Sequence, residues 1–443
     1  MNILLLSVLS GLLSAFAYKT SALKLLSPTF LSSGMFCGFS IIYILSFNFI
    51  GQDIKTKTVI YILSSLFLTY VGELIANRFT EKKSLLNNSS SISIATTEYR
   101  RFYVPSFKVT CIITAVMLIV AIIRFVNLRY FASQYGSFND FMSMMSTARI
   151  AVNQGEDFNL SSGIIAQIVY LSTGVCFFYT YIFLEQIILL KSKKYYLLLP
   201  IIFDCLIEFS TTGRTSIIMI VIGFIVSYFH ILVTHNKGYK LRLSKKLYIY
   251  IFLFLVVFFI YGGLRKGNNA SEVIDEIVGS IVSYSCAGIY GLDYYLEHPW
   301  SPNSYFAAYT GRNIYSLLGI EHNYIPDANL PFYFFGDGGG SNIYTSLVLP
   351  IQDYGIGGLF ITRVILAIIS TWILNVYLRK DTSKRSIYIY NLLAIFIVNG
   401  YINTPIADRF YTFFLNPMLL IRYVVYLLGF VWLMTRVRIY LKK

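Results

Sequence analysis

Seven arginines are the residues whose type and placement point most directly to chemistry. Six of them flank or enter apolar stretches, and the seventh lies in a long polar segment: Arg124, Arg214, Arg265, Arg363, Arg409, Arg422 and Arg312. A charge in an apolar segment is costly, so such positions are candidates for function. The guanidinium is always charged, and its planar fork of donors matches phosphate oxygens. We therefore predict an anionic ligand such as a lipid-linked phosphate or diphosphate. The alternative is that each arginine extends its guanidinium to the membrane surface or pairs with an acid, as Arg214 would with Glu208.

The elements that carry these arginines are predicted to be membrane-spanning helices. The chain has 443 residues, of which 56% are hydrophobic and 13% charged, about half the charged fraction of roughly 25% in soluble proteins. Apolar blocks of about 17–25 residues are long enough to cross a bilayer. The fold class is therefore an all-α polytopic membrane protein with about eleven spans, placed at 2–18, 30–50, 58–77, 106–126, 163–190, 195–209, 214–234, 247–263, 356–378, 386–406 and 415–435.

The distribution of basic residues predicts the orientation. The net charge is +15, and most of the excess lies in one alternate set of loops, which is the cytoplasmic set by the positive-inside rule. This placement accounts for the excess without nucleic acid as a partner. It puts the N-terminus outside and the C-terminus inside, and it puts the arginines above in the outer half of the membrane or at its outer surface. Near the inner ends, we expect Glu73 and Glu185 to pair with loop lysines.

Three regions follow from this pattern. Residues 1–263 hold spans 1–8 and an external amphipathic segment at 127–162, expected to lie on the membrane surface. Residues 264–345 form one large external loop between spans 8 and 9, with three basic and eight acidic residues. Residues 346–443 hold spans 9–11 and the cytoplasmic C-terminus. The spacing of cysteines and histidines predicts neither a disulfide framework nor a metal site.

Several short motifs accompany this architecture. They are Gly213-Arg214-Thr215, Gly263-Leu264-Arg265, Asn342-Ile343-Tyr344-Thr345 and Asp353-Tyr354-Gly355-Ile356-Gly357-Gly358. With the span number and the large outer loop, they make the chain resemble the bacterial oligosaccharide repeat-unit polymerases, the Wzy-type O-antigen and capsule polymerases. The resemblance covers most of the length.

The resemblance implies a membrane glycosyltransferase with a GT-C-like fold at the outer face of the bacterial cytoplasmic membrane. Such an enzyme joins repeat units carried on polyprenyl diphosphate, with no nucleotide sugar, no cofactor and no obligatory metal. Its partners are the lipid-linked glycan and the bilayer, with a chain-length regulator and a flippase of the same pathway as further candidates. An O-antigen ligase and a repeat-unit flippase remain the alternatives, although the large outer loop argues against a flippase.

The resemblance also implies roles for the candidate residues. Cations stabilise the departing diphosphate, and we assign Arg214 and Arg265 to it. A base deprotonates the acceptor hydroxyl, and the candidates are His322, Glu208 and Asp353. The further substrate-binding candidates are Arg312, Arg363, Arg409, Arg124, Arg422, Asp204 and Tyr344.

Overall fold

The computed structural model describes most of the chain and is almost entirely helical. The described residues are 1–87, 104–153, 163–210, 215–235, 270–301, 303, 305–320, 330–335, 339–380 and 385–436. The helices are α1 (Asn2–Thr20), α2 (Pro28–Leu45), α3 (Phe47–Ile50), α4 (Thr56–Asn87), α5 (Phe107–Tyr135), α6 (Phe141–Asn153), α7 (Gly163–Ile188), α8 (Leu199–Phe209), α9 (Thr215–His235), α10 (Ala270–Glu297), α11 (Arg312–Leu317), α12 (Val348–Leu378), α13 (Ile387–Ile402), α14 (Phe410–Phe414) and α15 (Pro417–Arg436). Single turns of 3₁₀-helix lie at Lys24–Leu26 and Tyr195–Leu198. Two short strands, β1 (Tyr333–Phe335) and β2 (Gly339–Ser341), pair antiparallel with Phe334 opposite Gly340.

Eight helices within the described ranges are long and apolar enough to cross a membrane, and α13 is a shorter apolar helix. This confirms an all-α polytopic membrane protein. Nine of the eleven predicted spans coincide with one of these helices, although α5 continues beyond the predicted end at 126. The predicted span at 195–209 corresponds to the 11-residue helix α8, and the one at 247–263 lies outside the described residues.

The chain divides into two compact units. The first unit comprises Met1–Ala95, Gly279–Val376 and Phe396–Leu420. The second comprises Thr96–Val278, Tyr377–Ile395 and Ile421–Lys443. Each unit is therefore built from segments that are distant in sequence.

The segment expected to be a large loop contains the 28-residue helix α10. Its buried side chains, including Val282, Cys286 and Leu292, join the core of the first unit with residues of α1, α2 and α4. At its end, Asp293 accepts hydrogen bonds from Thr58 and from the amide of Lys55, and Glu297 forms an ion pair with Lys55. About a third of this segment therefore lies in α10, and residues 279–297 of the helix belong to the first unit.

Two other predicted features have specific packing partners in the structure. The segment at 127–162 forms the end of α5 and the helix α6, and Met144 and Met145 of α6 are buried against Leu128 and Ala132 of α5. That part of the apolar side of α6 is therefore covered by α5. Glu73 accepts hydrogen bonds from the hydroxyls of Ser21 and Ser27 and from the amide of Thr29, so it is held by polar groups of the connection between α1 and α2.

Candidate functional site

In the first unit, one carboxylate lies among three of the predicted arginines. Asp408 is within electrostatic range of Arg312, Arg363 and Arg409. Its Oδ1 also accepts hydrogen bonds from the amides of Phe410 and Tyr411, at 3.1 and 3.2 Å, and so caps the start of α14. Three cations around one acid leave this group, which we call the arginine cluster, with a net charge of +2.

Arg363 lies inside α12 and is 3% exposed. Its Nη2 donates a 2.6 Å hydrogen bond to Ser346 Oγ, and the amide of Ser346 donates to the carbonyl of Thr404. These bonds fix the guanidinium beside the connection between α13 and α14. Among the described residues, no acceptor lies within hydrogen-bonding geometry of its Nε.

Arg312 and Arg409 lie outside the spanning helices and are half-buried. Burial lowers the pKa of both, while the charge of Asp408 opposes this effect. An arginine pKa is high enough that both stay protonated at neutral pH. Both residues are also partly accessible to solvent.

A turn of backbone positions Arg312 at the first residue of α11. The two carboxylate oxygens of Asp353 accept hydrogen bonds from the amides of Tyr309 and Thr310, at 3.0 and 2.6 Å. The hydroxyl of Thr310 also bonds to that of Tyr354 at 2.7 Å. Asp353 thus holds the turn before Arg312, and we assign it this positioning role in preference to that of a base.

The helix α12 is interrupted at Gly355, directly after Asp353 and Tyr354. Gly355 has φ 68° and ψ −171°, a conformation that a side chain would strain. The break separates Val348–Tyr354 from the membrane-length part of the helix, which begins where the sequence predicts the ninth span. Asp353 and Arg363 therefore lie on opposite sides of it.

Two buried tyrosines complete the cluster, and sequence analysis did not single them out. Tyr401 of α13 and Tyr411 of α14 are both within electrostatic range of Arg363. Burial raises the pKa of Tyr411 to about 12, with Arg363 acting in the opposite direction. Its hydroxyl therefore stays protonated at neutral pH and is a hydrogen-bond donor. With 37 tyrosines in the chain, no signal in the sequence distinguishes these two.

In the second unit, three other candidates come together. Arg124 of α5 is buried with Asp204 and Glu208 of α8, and it interacts electrostatically with both acids. Ser172 and Cys176 of α7 lie beside Asp204. Two acids face one cation, so this group, which we call the acidic triad, has no net positive charge and is less suited to phosphate than the arginine cluster.

The remaining candidates make other contacts or lie outside the described ranges. The guanidinium of Arg422, on α15, lies over the ring of Tyr170 at 5.3 Å. Tyr344 is buried against Trp300 and Tyr333, and its hydroxyl donates to the carbonyl of Pro331, so we leave it out of the proposed site. Three predicted residues lie outside the described residues: Arg214, Arg265 and His322.

The fold and these clusters define a polytopic helical membrane protein with charged groups buried among its helices. Within the described ranges, no group of three or more histidine, cysteine, aspartate or glutamate side chains is arranged to hold a metal ion. No family model, no curated protein and no solved structure matches the chain.

Proposed function

We propose that the protein is a membrane glycosyltransferase that joins oligosaccharide repeat units carried on polyprenyl diphosphate. The arginine cluster is the observation that carries this proposal. Its net charge of +2 would stabilise the negative charge that a diphosphate gains as it leaves. The proposed enzyme has a GT-C-like fold, works at the outer face of the bacterial cytoplasmic membrane, and makes O-antigen or capsular polysaccharide.

The proposed reaction is a displacement at one carbon atom. A hydroxyl of the incoming repeat unit attacks the anomeric carbon of the growing chain. The bond from that carbon to the diphosphate oxygen breaks, and polyprenyl diphosphate leaves with the electron pair. The hydroxyl proton passes to a base, and His322 remains our candidate for this role, since Asp353 is engaged with two amides.

Exposed aromatic rings of the first unit supply a surface for the sugars. Phe306, Phe332 and Phe334 are exposed, and Phe306 lies 5.3 Å from the ring of Tyr354, next to the turn that positions Arg312. Aromatic rings offer a large apolar area, against which the C–H faces of sugar rings can pack. In our proposal these rings hold the acceptor glycan near the cations.

Elongation of defined lipid-linked repeat units by the purified protein tests the proposal. We expect polymer from the native protein, and products of a single repeat unit from Arg312→Ala and Arg409→Ala at unchanged protein levels. Arg78→Ala is the matched control, because Arg78 is an exposed arginine of the same unit. Polymer from both cluster variants at the native rate would refute the assignment.

A gene deletion distinguishes the alternatives. Single repeat units attached to the final lipid acceptor in the deletion strain would support a polymerase. Long polymer that stays on the carrier lipid would indicate a ligase, and repeat units retained at the inner face would indicate a flippase.

A further inference from the structure

Among the buried side-chain donors of the first unit that have no acceptor within the described ranges, three belong to neighbouring residues. They are Nε of Arg363 and the hydroxyls of Tyr401 and Tyr411, and these residues are 3%, 1% and 7% exposed. In the described part of the chain none of the three atoms has a hydrogen-bond partner. More than about nine in ten buried polar groups have a hydrogen-bond partner, so three donors without an acceptor on neighbouring residues point to a missing ligand.

The three residues are mutual neighbours although they come from different helices. Tyr401 and Tyr411 interact electrostatically with Arg363 and with each other. Ser370 lies near Tyr401, and Thr362 lies near Tyr411, but neither contact satisfies hydrogen-bond geometry at the tyrosine hydroxyl. The three donors therefore lie in one neighbourhood of the first unit, and each lacks an acceptor among the described residues.

The surrounding charge decides what kind of acceptor fits. Arg363 Nε can only donate a hydrogen bond, and Ser346 already occupies the Nη2 of the same guanidinium. Asp408, the acid of the cluster, gives one oxygen to the amides that begin α14. Glu73 also lies within electrostatic range of Tyr401, so counting it with the arginine cluster leaves a net charge of +1. This charge still favours an anion, and a phosphate group accepts several donors from different directions.

We propose that Arg363, Tyr401 and Tyr411 form a buried binding site for phosphate oxygen. The identity of the phosphate rests on the proposed function, in which it is the diphosphate of the lipid carrier. Arg312 and Arg409 then supply the more accessible charges of the same diphosphate site, and the two tyrosines are binding residues in addition to the arginines.

The proposal makes an unusual prediction for the tyrosine variants. Tyr401→Phe and Tyr411→Phe remove hydroxyls that have no partner, so we expect no loss of thermal stability without anion. A hydrogen bond to a charged group is stronger than a neutral one, so each variant should need about tenfold more pyrophosphate for the same thermal shift. The control is Tyr43→Phe. The hydroxyl of Tyr43 donates to the carbonyl of Gln52, so this variant should be less stable than the native protein but should show the same thermal shift with pyrophosphate.

The measurement is the shift in melting temperature of the full-length protein in detergent, titrated with inorganic pyrophosphate and separately with farnesyl diphosphate. Equal responses to both would identify the phosphate groups alone as the ligand, and a much stronger response to farnesyl diphosphate would add the lipid chain. A native response in both tyrosine variants, or destabilisation of both without anion, would overturn the proposal and indicate a water site.

The outcome is separable from the enzymatic proposal. Tyrosine-dependent pyrophosphate binding without any elongation of lipid-linked glycans would keep the site and reject the glycosyltransferase. Elongation that is unchanged in both tyrosine variants would keep the enzyme and reject the site.

Discussion

Arg363 Nη2 donates a hydrogen bond of 2.6 Å to the hydroxyl of Ser346, which joins the interior of α12 to the segment just before it. The amide of Ser346 in turn donates to the carbonyl of Thr404, near the end of α13. A charged group deep in a helical unit is therefore held by one small side chain, and that side chain is held by the backbone. The arrangement fixes the direction in which the rest of the guanidinium points.

The first prediction concerns this bond. Ser346→Ala leaves a buried guanidinium with one partner fewer, so we expect a loss of about 1.5–3 kcal/mol in the free energy of unfolding. Ser32→Ala is the matched control, because Ser32 is equally buried but bonds to carbonyls of its own helix. Thermal unfolding in detergent measures both, and equal losses would show that the Arg363 bond is not special.

The second prediction concerns the close packing of α10. A Cβ on Gly288 would lie 1.8 Å from the carbonyl oxygen of Pro405, whereas one on Gly279 of the same helix would meet nothing within 4 Å. Gly288→Ala should therefore cost about 3 kcal/mol or more, since backbone must move. Gly279→Ala should gain up to about 1 kcal/mol from helix propensity. Similar melting temperatures for the two variants would contradict the packing of α10 against residue 405.

The third prediction concerns the break in α12. Gly355 has a conformation that is almost exclusive to glycine, so Gly355→Ala should cost about 1–3 kcal/mol. Gly357→Ala is the control, because that position has ordinary helical space and nothing within 4 Å of an added Cβ. We also expect Gly355→Ala to weaken the pyrophosphate response, since Asp353 positions the turn before Arg312. If Gly355→Ala kept both the native melting temperature and the native thermal shift with pyrophosphate, the result would argue against an interruption of α12 at this residue.

The fourth prediction concerns the acidic triad of the second unit. Arg124→Met removes the cation that balances Asp204 and Glu208, and an uncompensated buried charge costs about 3–5 kcal/mol. Adding Asp204→Asn and Glu208→Gln to this variant should restore much of the lost stability. A triple variant as unstable as Arg124→Met would show that packing, not charge balance, explains the loss.

The fifth prediction concerns the proposed glycan surface. Phe334 is 72% exposed on β1, while its neighbour Tyr333 is buried, so Phe334→Ala should leave stability unchanged. If the ring stacks on the acceptor sugar, the KM for the acceptor should rise about three- to tenfold, as for loss of about 0.5–1.5 kcal/mol. Phe79→Ala removes an equally exposed ring on α4 and should leave the KM unchanged. A native KM for Phe334→Ala would remove this residue from the acceptor site.

The arginine cluster was partly predictable from the sequence. Arg363 and Arg409 are identifiable because a charge next to or within an apolar stretch is costly and rare in such segments, whereas Arg312 is a candidate only as a cation of the large polar segment. Tyr401 and Tyr411 carry no such signal, because a tyrosine is common at any depth of a membrane protein. Only the packing of α12, α13 and α14 shows that their hydroxyls lie beside Arg363.

Hydropathy along the sequence did not predict the helix α10. Its apolar residues, such as Val282, Ile289 and Leu292, alternate with glycine, serine and acidic residues, so it lacks a membrane-length apolar run. The residues form a helix because the apolar side is buried among α1, α2 and α4 and because Gly288 and Gly291 allow close contact with residues 405 and 343. Such long-range partners are not visible in a local window of sequence.

The membrane class, most of the spans and the arginines that carry charge into them were predictable from residue types alone, because each depends on the local cost of placing a group in hydrocarbon. Which charges meet depends on the fold. It placed Arg312, Arg363 and Arg409 around Asp408 in one unit, and Arg124 with Asp204 and Glu208 in the other. Residues far apart in the chain come together only through helix packing. That packing gave the first group a net positive charge, whereas in the second group two acids outnumber one cation.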